Sequence, residues 1–494
     1  MLSASYERLT FLDNSFLVLE TPTSPMHITG LATFEAGPLQ TADGGIDIDR
    51  IRNYVASRLH LIPRYRQRLA RTPVGGSPVW VDDPHFNLDY HVRHSALPKP
   101  GTEPQLKRLA SRLMAQRLDR QKPLWEIWIL EGLADPGQFV MITKVHHCMV
   151  DGMSGVDLLK VLLTLEPTKA PDEAPIWEPR PAPGPWALLR DELVRYARLP
   201  LDALFDLSRL GRDATDAASG LRQAVEMVRD GLNGRTRVSL TPLNGRIGPH
   251  RRLDWLTMDL AEVKALKNRL GGTVNDIVLA TVAGAVRRFL LRRGVDVNDL
   301  DFQVMAPVST REDPQGATLG NQISAWRIPL PLEEESAARR LEWIRAHTER
   351  LKESNQALGA AALTQLGEWA PSTLLALGAR MAVTVLPFNL VVTNVPGPQL
   401  PLYMLGARMV DNFGFIPLVD SVGLGIVLFS YAGKMCWGFT GDWDMLPDLD
   451  RLREDIVASF RELSEIPERI QPRASRRTVA VHRAVRPGNR RARA

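Results

Sequence analysis

An apolar, strand-forming run, Phe139-Val140-Met141-Ile142-Thr143-Lys144-Val145, leads directly into His146-His147-Cys148-Met149-Val150-Asp151-Gly152. The residues that follow, Met153 to Leu163, carry Ser154 and Gly155 and then apolar positions at helical spacing. The chain must therefore end a buried strand and begin a helix across this heptad. A junction of that kind belongs to an α/β fold. It also holds side chains firmly while leaving them reachable from a cleft.

The chemistry suits the place. Neutral imidazole is the side chain best matched to accepting a proton near neutral pH and returning it. Successive residues on a strand face opposite ways, so only one of His146 and His147 faces a given cleft. Asp151 follows His147 by four residues, close enough after a turn to orient the imidazole or its backbone. Gly152 gives that turn its conformational freedom. Cys148 points away from His147 and reads as apolar filler, not as a nucleophile. Ser154 reads equally as a substrate contact or a helix cap. No metal is expected, because adjacent strand histidines diverge, whereas a helical zinc site uses histidines at i and i+4.

With 494 residues the chain exceeds one core. The composition divides it into a first α/β unit over 1–166, a proline-rich linker and helical connector over 167–250, a second α/β unit over 251–470 and a basic tail over 471–494. In the connector, Trp186, Leu189, Leu193 and Tyr196 recur at helical spacing, with Arg190, Asp191, Arg195 and Arg198 between them. A connector packing this stripe on the two halves is favoured over a helix lying in a lipid interface. The tail holds eight arginines and no acid; without them the net charge of +5 falls to about −3. Its composition predicts disorder, and its charge suits anionic headgroups. Basic residues interleaved with aromatics are missing elsewhere, so no nucleic-acid partner is expected. No apolar run of membrane-spanning length is present. The amino terminus lacks a signal-peptide pattern, and two cysteines imply no disulfide framework, so a cytoplasmic protein is expected.

Further segments accompany the heptad: Pro123-Leu124-Trp125-Glu126 before it, then Asn275-Asp276, Pro307-Val308-Ser309-Thr310-Arg311, Leu319-Gly320-Asn321-Gln322 and Thr393-Asn394-Val395-Pro396-Gly397-Pro398. The heptad resembles the active-site motif of the CoA-dependent acyltransferase superfamily. The ordered set resembles the bacterial wax ester synthase/diacylglycerol acyltransferases within it, from about Leu9 to about Pro467.

The resemblance implies two chloramphenicol-acetyltransferase-like subdomains, each a mixed sheet flanked by helices, with an active-site tunnel at their interface. It implies that His147 is the general base, in agreement with strand alternation. His146 supports it, Asp151 shapes the site and Gly152 makes the turn. Asn275, Asp276 and Thr393 are candidates for oxyanion stabilisation or substrate orientation, with helix capping the alternative for Asn275 and Asp276. Pro123, Leu124, Trp125 and Ser154 are candidates for the substrate channel, although for Pro123-Leu124-Trp125 core packing, Trp125 together with Trp128, is the favoured reading. No cofactor is implied; acyl-CoA is a substrate, and diacylglycerol or a long-chain alcohol is the acceptor. The expected setting is peripheral to the inner membrane or to lipid bodies. Two alternatives are a condensation-type acyltransferase fed by carrier-bound acyl groups and a non-enzymatic lipid-surface protein.

Overall fold

Gln138–His146 is a strand buried along nearly its whole length, as its run of Val, Met, Ile and Thr requires. The computed structural model that contains it describes residues 6–73, 76–149, 155–168, 173–194, 238–309, 323–353 and 388–467. In the first half lie β1 (Tyr6–Arg8), β2 (His27–Glu35), β3 (Gln67–Arg71), β4 (Pro78–Asp82), β5 (Val92–Ala96), β6 (Trp125–Glu131) and β7 (Gln138–His146). In the second lie β8 (Arg251–Asp259), β9 (Gln303–Ser309), β10 (Ile323–Pro329), β11 (Leu390–Pro396), β12 (Tyr403–Met404), β13 (Ala407–Phe415), β14 (Leu424–Tyr431) and β15 (Lys434–Asp442).

The strands form two six-stranded mixed sheets, β12-β13-β2-β7-β6-β5 and β10-β9-β11-β14-β15-β8, and a small sheet β1-β4-β3. In the first large sheet only β5 and β6 run parallel; in the second, β11 is parallel to both of its neighbours. Helices cover each sheet, so the expected α/β architecture is the one observed. In the second half, the helix Val274–Arg292 is apolar on most of its surface because it lies beneath Ala337–Glu353 and Leu449–Ser464. A Cβ at Gly284 would stand 2.2 Å from Ser459 Oγ, so glycine sets how closely two of these helices approach.

Within the span 251–470, residues 403–415 do not join the second sheet. They cross back, and β13 pairs antiparallel with β2 in the first. The two sheets meet along this excursion: a Cβ at Gly438 of β15 would stand 2.0 Å from the Gly414 carbonyl of β13. One apolar cluster, including Leu106, Leu113, Ile142, Leu253, Trp255 and Phe415, draws on both sheets and on the helix Glu103–Ala115 between them. Polar ties reinforce it: Leu253 N–H donates to Ser111 Oγ at 3.0 Å, and Lys107 pairs with Asp254 at 2.6 Å.

The connector differs from expectation. Its proline-rich part is docked, with Arg180 donating to both oxygens of Asp82 at 2.9 and 3.0 Å. Residues 185–194 are helical, but Trp186 is 81% exposed and Leu193 58% exposed, so the apolar stripe faces outward. The inward face is held by Leu188 against Val79 and Val81, by Glu192 pairing with Arg8, and by Asp191 accepting from Tyr6 Oη at 3.1 Å. Carboxylates meeting β1 outcompete the apolar stripe for the inner side. The remainder of the connector, 195–237, and the tail lie outside the described residues.

Candidate active site

Two carbonyls pin the end of β7. His146 N–H donates to Leu124 O at 2.9 Å, and His147 N–H donates to Met26 O at 2.8 Å. The chain then tightens into a 3-10 turn over His147–Met149. The strand ends at His146 and the turn begins at His147, so the strand alternation expected of the pair does not apply between them. His146, 1% exposed, points into the protein; His147 stays only half-buried.

His147 stacks on Phe16, with ring centroids 3.7 Å apart and planes 17° from parallel. Its Nδ1 is buried without a hydrogen-bond partner among the described residues. Burial pushes its pKa down to about 4, and contact with its own backbone offsets only part of this. The ring is therefore neutral, in its proton-accepting form, at neutral pH. Cys148 is buried in the apolar cluster, and burial drives its thiol well above the usual range, so no thiolate is available there.

Sequence reasoning missed what surrounds His146. Its Nδ1 accepts the Cys148 N–H at 3.1 Å, and its Nε2 lies 3.6 Å from Oε1 of Glu20. That oxygen also lies 3.4 Å from Nε2 of His27, the β2 residue paired with His146 across the sheet. The other Glu20 oxygen accepts from Arg120 Nε at 2.9 Å and from Arg117 at 3.2 Å. Burial alone would raise the Glu20 carboxyl. The contacts with His146 and His27 and the charge of Arg120 outweigh it and hold the group well below the usual carboxylate range. The helix Phe11–Leu19 carries Phe16 and is capped by Glu20, so it meets both histidines of the pair. Only the fold brings residues 16–20 to residues 146–147; nothing in their spacing signals it.

The channel candidates fall elsewhere. Leu124 and Trp125 are 0% exposed, so neither borders an open passage. Trp125 donates Nε1–H to the Tyr65 carbonyl at 2.8 Å and stacks on His91 at 4.6 Å. Pro123 is buried beside them. This segment belongs to the core and serves the site through the Leu124 carbonyl. Asp276 is likewise corrected. Its carboxylate accepts from Thr273 N and Oγ1 at 2.7 and 2.8 Å and from Thr348 Oγ1 at 2.7 Å, so it builds the start of the helix Val274–Arg292 and has no donor for an oxyanion.

Asn275 is exposed at that helix start and accepts Asn394 Nδ2 at Oδ1, 2.7 Å away. Its NH2 group makes no hydrogen bond among the described residues. Thr393 is half-buried on β11, opposite Val427, with no side-chain hydrogen bond among those residues. The next strand position but one, Val395, packs on the same apolar cluster as Cys148 and Met149. The second sheet thus brings the Thr393–Val395 segment toward the histidine turn. Asp151, Gly152 and Ser154 lie outside the described residues. Among those residues no group of three or more His, Cys, Asp or Glu is placed to hold a metal, and no helix is long and apolar enough to cross a membrane.

Comparison with known proteins identifies the family of the chain. Residues 9–278 match the wax ester synthase/diacylglycerol acyltransferase catalytic domain, and residues 319–464 match the corresponding C-terminal domain. A Mycobacterium tuberculosis protein that bears the name probable diacylglycerol O-acyltransferase is 33% identical over 461 residues, covering 92% of this chain and 98% of the relative. The structure of a wax ester synthase/diacylglycerol acyltransferase from Marinobacter aquaeolei VT8 matches with a TM-score of 0.66 at 26% identity, over 92% of this chain and 98% of that one. The first condensation domain of the calcium-dependent antibiotic synthetase shares the fold, with a TM-score of 0.60 at 17% identity over 94% and 98% of the two chains.

Proposed function

Because the chain belongs to the wax ester synthase/diacylglycerol acyltransferase family, we propose that it moves a long-chain acyl group from acyl-CoA to diacylglycerol or a fatty alcohol, with His147 as general base. Acyl transfer itself follows from membership; the acceptor and the residue roles are our reading. The observation that carries it is His147: neutral, half-buried, its backbone fixed by Met26 and its ring by Phe16.

In this reading Nε2 of His147 takes the acceptor's hydroxyl proton as the oxygen attacks the thioester carbonyl. The tetrahedral intermediate collapses, the C–S bond breaks and the imidazolium protonates the departing CoA thiolate. No acyl-enzyme forms. In this reading the Asn275 amide, whose oxygen is held by Asn394, donates to the oxyanion, with the Thr393 hydroxyl as a second candidate. Asp151 and Gly152 shape the turn, His146 supports it, and Ser154 contacts substrate. We assign 1–166 and 251–470 to the two subdomains around a substrate tunnel, with 403–415 exchanged between them.

Purified protein, palmitoyl-CoA and either hexadecanol or diolein provide the test, with CoA release followed by a thiol reagent. Release should depend on the acceptor. Transfer only from carrier-bound acyl groups would instead support a condensation-type enzyme.

Peripheral association with a membrane or lipid body is part of the proposal. The outward stripe of Trp186, Leu193 and Val194 supports it, as does the arginine-rich tail. Trp186→Glu with Leu193→Glu should reduce flotation with anionic liposomes, and so should deletion of 471–494. Unchanged flotation in both variants removes this part of the reading.

A further inference from the structure

The most unusual group outside the proposed chemistry is Glu20, a carboxylate whose side chain is 1% exposed and faces two histidines. We propose that Glu20 is a positioning residue that sets the proton of His146 on Nε2, and through it the turn that presents His147. The inference rests on the reading of His147 as base.

The geometry fixes the proton's place. His146 Nδ1 accepts the Cys148 amide, so it carries no hydrogen. The single proton of the neutral ring is then on Nε2, whose nearest carboxylate oxygen is Glu20 Oε1 at 3.6 Å, beyond hydrogen-bond length. Both atoms are buried with no other hydrogen-bond partner among the described residues, so the coupling between them is electrostatic. Cys148 N–H is the amide that follows His147, so this bond holds the first step of the 3-10 turn. Glu20 remains an anion because Arg120 and Arg117 take its other oxygen. His27 offers Nε2 as an acceptor to Leu118 N–H at 3.3 Å, and the other charge in this layer, Lys144, is directed to the Gln116 carbonyl. Lys144 therefore does not reach Glu20 Oε1, whereas His27 Nε2, 3.4 Å from it, shares that oxygen with His146 whenever it carries a proton in place of accepting the Leu118 N–H. Glu20 thus stands to His146 as an outer-shell carboxylate stands to a metal-bound histidine: it selects one tautomer.

Glu20→Gln is a sharp test. The arginines are donors, so the new amide must turn its oxygen to them and its NH2 to His146. One hydrogen of that NH2 meets the acceptor His27 Nε2; the other faces His146 Nε2, and a donor in place of the carboxylate there favours an unprotonated Nε2, which shifts the His146 proton to Nδ1, against the Cys148 N–H. In full-length protein labelled with 15N-histidine, the wild-type His146 ring should show Nε2–H, and Glu20→Gln should show Nδ1–H. Turnover should fall about 10- to 100-fold with the KM for palmitoyl-CoA within about threefold. In a His146→Asn background, where asparagine can still accept the Cys148 amide, Glu20→Gln should cost less than twofold further.

A wild-type His146 with its proton on Nδ1 overturns the proposal even if the variant does not fold. So does a Glu20→Gln effect that multiplies in full on His146→Asn. Activity surviving in His147→Ala would defeat the base assignment alone and leave the tautomer result standing.

Discussion

His147→Ala should lower turnover of palmitoyl-CoA about a thousandfold, within the 10²- to 10⁴-fold range of a positioned general base, while KM changes little. The imidazole acts on a proton that moves only in the transition state, so its loss should appear in kcat. Loss of the stack on Phe16 is the structural side effect, and the thermal midpoint measures it separately. The pH profile carries a second signature. Burial pushes the ring to about 4, so kcat/KM of the free enzyme should stay level from neutral pH to about 5 and fall only as pH passes through about 4. An acid limb near the ordinary histidine value of about 6.5 would mean that the base sits in a wetter place than this one. Unimpaired turnover in His147→Ala would sink the assignment. Asn275→Ala belongs in the same assay: a donor to the oxyanion is worth about 3 kcal/mol, or about a hundredfold in kcat.

Much of this site is legible along the chain because its signals are local. An apolar run ending in two histidines specifies a strand, and the strand gives way to the turn between the two. Thr273 and Asp276 form a capping box that announces the helix start and also explains why Asp276 is unavailable for catalysis. The unreadable parts are all long-range. Phe16 and Glu20 reach the histidines only because β2 pairs with β7 and draws the preceding helix over the strand end. The return of β13 to the first sheet depends on Gly414 and Gly438 meeting face to face, a contact between residues that carry no hydrophobic signal. The Pro123-Leu124-Trp125 segment packs in the core, the reading its side chains favoured over a channel lining; what its sequence does not signal is that the group serving the site is the Leu124 carbonyl, which every residue possesses. The connector helix departs from the usual rule because its inner face combines one apolar residue, Leu188, with an ion pair from Glu192 to Arg8 and a hydrogen bond from Tyr6 to Asp191, both on β1.

The histidines buried in the first half should also make the protein sensitive to mild acid. Burial depresses His27 to about 3 and His91 to about 4, against about 6.5 in an unfolded chain. Both rings are 1% exposed. The native state therefore binds fewer protons than the unfolded one between these values. Stability is full above about 6.5 and falls as pH drops toward 3 to 4. At about 1.4 kcal/mol per pH unit, each ring costs roughly 2 kcal/mol by pH 5, about 4 kcal/mol for the pair. His146 is shifted in the same direction. Ordinary carboxylates titrate lower, so the window from pH 7 to pH 5 isolates the histidines. His91→Gln gives the sharpest reading: His91 Nδ1 lies 2.8 Å from the Trp125 carbonyl, and glutamine keeps a donor for it but cannot be protonated. Urea unfolding at pH 7 and pH 5 should show the variant losing about 2 kcal/mol less than the wild type across that interval. Equal losses would mean that His91 is already hydrated in the native state, and its stacked position between Phe86 and Trp125 leaves no room for water.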